Sequence, residues 1–189
     1  MKEYFFNLKL NKTFKWHGLS YQIGAVLPSY RRDFVEGLHE LSVNSIRNRF
    51  HGIKKEFSEQ ELNYLTQFDG INHFAIGLRN EKNEGIAVAR MVKSSSESLE
   101  AEVAITIIDK YQHKGLGTLL YQCIALAAYE RGIETLVIDL LDQNEGMLKL
   151  AGKVGKIIRR IRYLDTLTLY IHLDKTEMEK IREDLNRLL

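Results

Sequence analysis

"DKYQHKGLGTLL" (Asp109–Leu120) sets Gly115 and Gly117 one residue apart and then runs into apolar residues at helical spacing. The chain has 13 glycines in 189 residues, so two in one short turn need a reason. On one reading, a tight turn between a strand and a helix simply requires glycine. On the other, the glycines bare backbone amides at a helix N-terminus to hold a phosphate. The first N–H groups there lack intrahelical partners, and the helix dipole is positive. Two known phosphate loops do not fit. A dinucleotide fingerprint wants a small residue where Leu120 stands, and a Walker A loop wants a lysine that "GLGT" lacks. From spacing alone, the plain turn and the phosphate cradle remain open.

Outward from this stretch the chain alternates strand and helix patterns. Upstream, His73–Arg79, Gly85–Lys93 and Leu99–Ile108 read as three strands with "RNEKNEG" and "SSSES" as turns, which implies a hairpin-rich sheet. Leu19–Val26 reads as a further strand. Phe34, Val35, Leu38 and Leu41 make a helical stripe within Arg31–Asn44, whose "YRR" start (Tyr30–Arg32) reads as exposed. "SEQELNYLTQF" begins with Ser58 and Glu61 at capping-box spacing. Downstream, Leu119, Leu120, Cys123, Ile124, Ala127 and Ala128 share one helical face, and Gly132 ends that helix. "ETLVIDLL" (Glu134–Leu141) is a nearly continuous apolar strand, expected to be buried on both faces. "NEGMLKLAGKVG" predicts a short helix, Thr166–Leu173 a strand, and the tail an amphipathic helix carrying Met178, Ile181, Leu185 and Leu188.

One proline in 189 residues and no linker-like composition predict a single domain: an N-terminal extension over 1–18, a core over about 20–173 and a C-terminal helix over 174–189. A net charge of +2, with dispersed basic residues, gives no argument for nucleic acid. The lone Cys123 excludes an internal disulfide, suits a reducing compartment and is expected as a buried thiol. No signal peptide or membrane-spanning run is visible, so a cytoplasmic protein is expected, with no membrane partner. His51, His73 and His113 are scattered and lack metal-ligand spacing, so no metal is expected. "KIIRRIR" (Lys156–Arg162) reads either as an edge strand with outward arginines or as a basic lip for an acidic ligand.

"QHKGLG" (Gln112–Gly117) resembles the pyrophosphate-binding signature of the GNAT family of N-acetyltransferases, Gln/Arg-x-x-Gly-x-Gly/Ala. "AITI" (Ala104–Ile107) precedes it as that family's central strand would, and a helix follows. "NEGMLKLAGKVG" is similar to a second family segment, with Asn144 and Gly155 in register. "FSEQELNYLTQFDGINHFAIGL" and "AEVAITI" look like the acetyltransferase domain of bacterial Pat-type protein lysine acetyltransferases, a likeness spanning roughly residues 20–173. That domain is often fused to an acyl-CoA synthetase-like or cyclic-nucleotide-binding module, and neither module is expected within these 189 residues.

The resemblance implies an α/β (mixed α+β) fold: a mostly antiparallel six- to seven-stranded sheet with flanking helices, the acyl-CoA N-acyltransferase fold. It implies acetyl-CoA as co-substrate, bound across splayed parallel strands at Ala101–Ile108 and Glu134–Leu141. The pyrophosphate would meet the amides of Gln112–Thr118, with Gln112, Lys114, Gly115, Gly117 and Thr118 as binding residues. The pantetheine arm would pair with backbone near Ile105 and Ile107, and Asn144 would contact the cofactor or the departing arm. The thioester oxygen would be polarised by a strand amide near Ile105. For Lys114, reaching a phosphate and standing in solvent are equal alternatives.

Acetyl transfer to an amine needs a neutral nucleophile, so an ammonium acceptor must lose a proton. A carboxylate whose pKa is raised by burial suits that task, directly or through water. In the Pat-like pattern a glutamate at the place of Glu102 is the general base. The bland reading is a solvated strand residue, and Glu100, facing the same way at period two, is the fallback. One departure stands out: where many family members carry a tyrosine as general acid for the thiolate, this chain has Ala151, with Tyr111 and Tyr163 as nearby alternatives. Lys156 likewise replaces the usual aromatic residue. The expected function is acetyl transfer from acetyl-CoA to a primary amine, a protein lysine by analogy. Alternatives are a small-molecule amine acceptor and a non-catalytic acyl-CoA-binding regulatory protein. A monomer or a homodimer fits equally.

Overall fold

The computed structural model describes residues 4–7, 9 and 11–189. Eight strands form one sheet: β1 (Asn11–Trp16), β2 (Leu19–Ala25), β3 (His73–Asn80), β4 (Gly85–Lys93), β5 (Glu100–Ile107), β6 (Thr135–Leu141), β7 (Lys156–Tyr163) and β8 (Thr166–His172). Their order is β1-β2-β3-β4-β5-β6-β8-β7, antiparallel at every pairing except β5 with β6. The sheet therefore has one strand more than the upper bound of the six to seven expected. The extra strand is β1, inside the stretch read as an N-terminal extension. It pairs with β2 through a two-residue turn in which His17 and Gly18 both have positive φ, 49° and 81°. That is the backbone a two-residue hairpin needs.

Six helices flank the sheet: α1 (Arg31–His39), α2 (Val43–Phe50), α3 (Glu59–Thr66), α4 (Leu116–Glu130), α5 (Glu145–Ala151) and α6 (Lys175–Leu188). The helical stripe read across Arg31–Asn44 is broken at Ser42. That residue caps α2 by accepting from the Ser45 amide at 3.2 Å, and its own N–H and hydroxyl donate to Asp109. α1 ends locally at its C-cap Glu40, and a partner 67 residues away fixes the start of the next helix, which local periodicity does not reveal. The capping box at Ser58 and Glu61 is present in full on α3.

On one face, α4 packs against β3, β4 and β5, and α6 covers α4. The single apolar face expected for α4 is thus an understatement, because eleven of its fifteen residues are buried. A helix apolar nearly all round is a core helix. Met178, Ile181 and Leu185 of α6 are buried against it, each contributing roughly 1.5–3 kcal/mol by leaving water. Cys123 is fully buried within α4, and burial pushes its thiol well above the ordinary range. Glu130, at the end of α4, accepts from the Phe5 amide at 3.0 Å and pairs with Arg182 of α6 at 2.8 Å. The opposite face of the sheet carries α1, α2 and α3, and there β4 and β5 meet the first two helices.

Candidate active site

The site follows from where β5 loses its neighbour. β5 pairs with β6 only over Glu100–Glu102, opposite Thr135–Val137. Beyond Glu102 the two parallel strands part, leaving one edge of Val103–Ile107 open over about 16 Å from Glu102. The Ile108 amide donates to the Ile86 carbonyl at 3.0 Å, which sets the phase of the β4–β5 ladder. Glu102, Ala104 and Thr106 turn their backbone groups to β4. Val103, Ile105 and Ile107 turn theirs to the open edge. Of the last pair, the Ile107 carbonyl already accepts from Gln112 Nε2 at 2.9 Å, and the amides face outward.

The open edge leads into the glycine loop. Gly115 is the N-cap of α4 with φ 80°, and His113 also has positive φ, 58°. Five consecutive amides, His113 through Gly117, make no hydrogen bond among the described residues. They lie at the positive end of a fifteen-residue helix, a ready anion cradle. The Thr118 amide is already taken by the Gly115 carbonyl at 3.1 Å. Gln112 turns its side chain inward to Ser45 and Ile107, so it locks the loop and does not face an anion. Lys114 lies with its ammonium 5.2 Å from the centre of the Tyr111 ring.

Sequence reasoning missed the residues that hold this loop in shape. Trp16, the only tryptophan in the chain, donates from Nε1 to the Lys114 carbonyl at 2.7 Å. Its ring lies where a side chain on Gly115 would go, 3.1 Å from an ideal Cβ. Asp109 accepts from Ser42 Oγ at 2.6 Å, Ser42 N at 3.1 Å and Ser45 Oγ at 3.0 Å. Burial works to raise its carboxyl, but the hydrogen bonds from Ser42 and Ser45 outweigh it and hold the group below the ordinary range. None of these partners is local, so no motif advertises them. On α2, which packs against both β5 and β6, the enclosed Asn48 Oδ1 has no partner, a cost until some donor reaches it.

Glu102 lies on the last paired rung, where the strands separate. Its side chain is exposed, as is that of Glu100, so the burial anticipated for a desolvated base is not found. Even-numbered β5 side chains project away from the α4 core, whereas Ala101 and Val103 project into it. Asn144 is the N-cap of α5, its Oδ1 accepting from the Met147 amide at 3.1 Å. Its Nδ2 makes no hydrogen bond among the described residues. Ala151 is fully buried, so the position of the missing tyrosine faces the core. The Tyr111 hydroxyl accepts from Asn80 at 3.0 Å, and Tyr163 stands exposed on edge strand β7.

Beside the fork, α1, α2 and the sheet enclose an apolar cleft of about 100 Å³. Phe34, Leu38, Phe50 and Phe57 contribute to its walls, and Arg49, Arg79 and Arg90 to its charge. Arg90 is 5% exposed and donates to the Leu65 carbonyl at 2.6 Å, the Tyr64 carbonyl at 3.3 Å and His73 Nε2. Burial lowers the Arg90 guanidinium to about 10. Burial and the Arg90 charge together lower His73 to about 4, with Asp69 opposing. The neutral ring therefore stabilises the fold fully above the unfolded value near 6.5, and that stability is lost as pH falls toward 4. Discounted for a half-exposed ring, moving from pH 7 to pH 5 costs about 1 kcal/mol. Urea unfolding at the two pH values measures this, and His73→Gln should flatten the difference.

No group of three or more metal-ligating side chains occurs among the described residues. None of the described helices is long and apolar enough to cross a membrane. No protein-family model matches the chain. It is similar to acetyltransferase Pat of Mycolicibacterium smegmatis, 30% identical over 134 residues, which are 70% of this chain and 40% of that protein. The chain thus spans less than half the length of that relative. The GNAT domain of S. lividans Pat superimposes with TM-score 0.76 at 21% identity, over 87% of this chain and 96% of that one. YncA of Salmonella typhimurium, solved with its cofactor acetyl-CoA, superimposes with TM-score 0.65 at 16% identity, over 82% of this chain and 95% of that one. The forked parallel strands, the glycine loop at the head of α4 and these likenesses agree: the chain has the fold of the GNAT acetyltransferases and is similar to their Pat-type domains.

Proposed function

We propose that this domain transfers an acetyl group from acetyl-CoA to a primary amine, in a reducing cytoplasm, with a protein lysine as the favoured acceptor class. The observation that carries the reading is the line formed along β5 by a carboxylate, an open strand edge and an amide cradle. The pyrophosphate of CoA binds the amides of His113–Gly117. The pantetheine arm pairs with the outward Ile105 carbonyl and Ile107 amide as an added strand, and Asn144 Nδ2 is free for a further contact. Bound there, acetyl-CoA supplies the activated acyl group. The chain's own groups orient it, and the Ile105 amide is our candidate for holding negative charge on the thioester oxygen.

Glu102 takes the proton that an ammonium acceptor must lose before its nitrogen can attack. Its exposure favours a route through water over direct desolvated contact. With Ala151 buried, no tyrosine serves as acid at that position, and the departing thiolate takes its proton from solvent. The lysine preference rests on the likeness to Pat, and the apolar cleft beside the fork suits an alkyl chain.

Acetyl-CoA should raise the melting temperature and change Trp16 emission, since Trp16 touches the loop through Lys114. Thiol release should then depend on added amine. Gly115→Val should abolish the stabilisation, with affinity at least tenfold weaker. A β-branched residue at φ 80° is strained, and its side chain displaces Trp16 from the loop. Stabilisation without turnover on any amine favours the regulatory alternative. No stabilisation at all leaves the glycines as a turn.

A further inference from the structure

The charge in the cleft is unbalanced. Its lining holds three guanidinium groups and one carboxylate, Asp33. Asp33 is taken by Arg79 in an ion pair. Arg90 is satisfied by two carbonyls and His73. Of the three, Arg49 alone has neither a hydrogen bond nor an ion pair among the described residues; its half-buried side chain lies beside the Phe50 ring, 5.3 Å from its centre. Burial pulls its guanidinium below the ordinary range, while the charges of Glu102 and Tyr64 oppose that pull from beyond ion-pair distance. Its donors stand at the wall of an apolar cleft with no acceptor among the described residues, open to an anion that enters there.

We propose that the acceptor carries a carboxylate beside its apolar body, and that Arg49 receives that carboxylate in the cleft between α1, α2 and the sheet. This rests on the acetyltransferase reading above and narrows its substrate class. A planar guanidinium matches a carboxylate through paired N–H donors. Glu102, close enough to act on Arg49, disfavours a doubly charged phosphate in the same place. The apolar walls supplied by Phe34, Leu38, Phe50 and Phe57 suit an alkyl body beside that guanidinium. The carboxylate comes either from an ω-amino acid or from an acidic residue next to a target lysine.

Two acceptor pairs separate the sources: 6-aminohexanoate against its amide, and lysine peptides with glutamate against glutamine beside the lysine. In one pair the acid should exceed the amide in kcat/KM by about tenfold or more. In Arg49→Met that ratio should fall to within twofold of one, and in Arg49→Lys it should lie between. A wild-type ratio near one in both pairs, or a ratio unchanged in Arg49→Met, overturns the proposal. Hexanoate and hexanamide, titrated against the wild-type chain by NMR, provide a readout free of turnover and of any variant. Hexanoate should bind at least tenfold more tightly, with shifts at α2, and equal binding overturns the assignment. If no amine is acetylated, the acetyltransferase reading fails while this titration still decides whether Arg49 is an anion site.

Discussion

Glu102→Gln should lower kcat/KM for a primary amine by about 10²–10⁴, the range for removing a general base, while acetyl-CoA still stabilises the protein as before. The glutamine keeps the shape of the side chain and loses only the ability to take a proton. The donor line beyond it, from Val103 to Gly117, is untouched. The defect should shrink as pH rises, because more of the acceptor then arrives as free amine. Glu100→Gln is the paired measurement. Glu100 shares the face of Glu102 but sits two residues deeper in the paired region, opposite Thr135. A collapse in Glu100→Gln with activity kept in Glu102→Gln would transfer the role to the fallback carboxylate. Full activity in both would mean that neither carboxylate takes the proton and that the amine must be neutral on arrival.

Gly155→Ala should destabilise the fold by at least about 3 kcal/mol, a shift of roughly 6–12 °C in melting temperature for a domain of this size. An ideal Cβ at this position falls 2.1 Å from the His172 carbonyl oxygen. That oxygen is backbone and has no rotamer to yield. His172 pairs with Lys156 on one side and Thr135 on the other, so giving way means shifting β8 against β6 and β7 together. Gly152→Ala is the control: nothing lies within 4 Å of the place its Cβ would take, and its φ is an ordinary −87°. Urea unfolding of both should separate them clearly. A difference under about 0.5 kcal/mol, the scale of an ordinary surface substitution, would mean that β7 adjusts at little cost.

The parts of this molecule that are readable in sequence are those whose causes lie within a few residues. The Ser58–Glu61 capping box, the strands from His73 to Ile108 and the glycine start of α4 need only local spacing. The basic stretch Lys156–Arg162 settles as edge strand β7, where exposed arginines cost nothing and blunt an open edge. The misread parts depend on distant partners. Within Arg31–Asn44 a second helix starts at Ser42, which answers to Asp109. Trp16 gains its place from Lys114, 98 residues on. The exposure of Glu102 depends on how far β6 accompanies β5, and the burial of Ala151 on how α5 turns. Neither is written in the residues themselves. The Asn144 and Gln112 positions are legible, but their side chains cap a helix and lock a loop.

Asp109 and Gln112 give the molecule one further property. Both bind Ser45 on α2, the helix that also carries Arg49, and both head the loop whose amides cradle the anion. On the proposed reading, filling the cradle stiffens the same hydrogen-bonded unit from which α2 presents Arg49. A ligand that spends free energy ordering this unit leaves less for the next one to spend, so the two proposed sites are expected to bind cooperatively, which titrating acceptor with and without acetyl-CoA measures. Linkage makes the effect mutual: whatever factor the donor adds to acceptor affinity, the acceptor returns to the donor. The coupling between the two proposed sites thus runs through the carboxylate of Asp109 and the amide of Gln112, both held on Ser45.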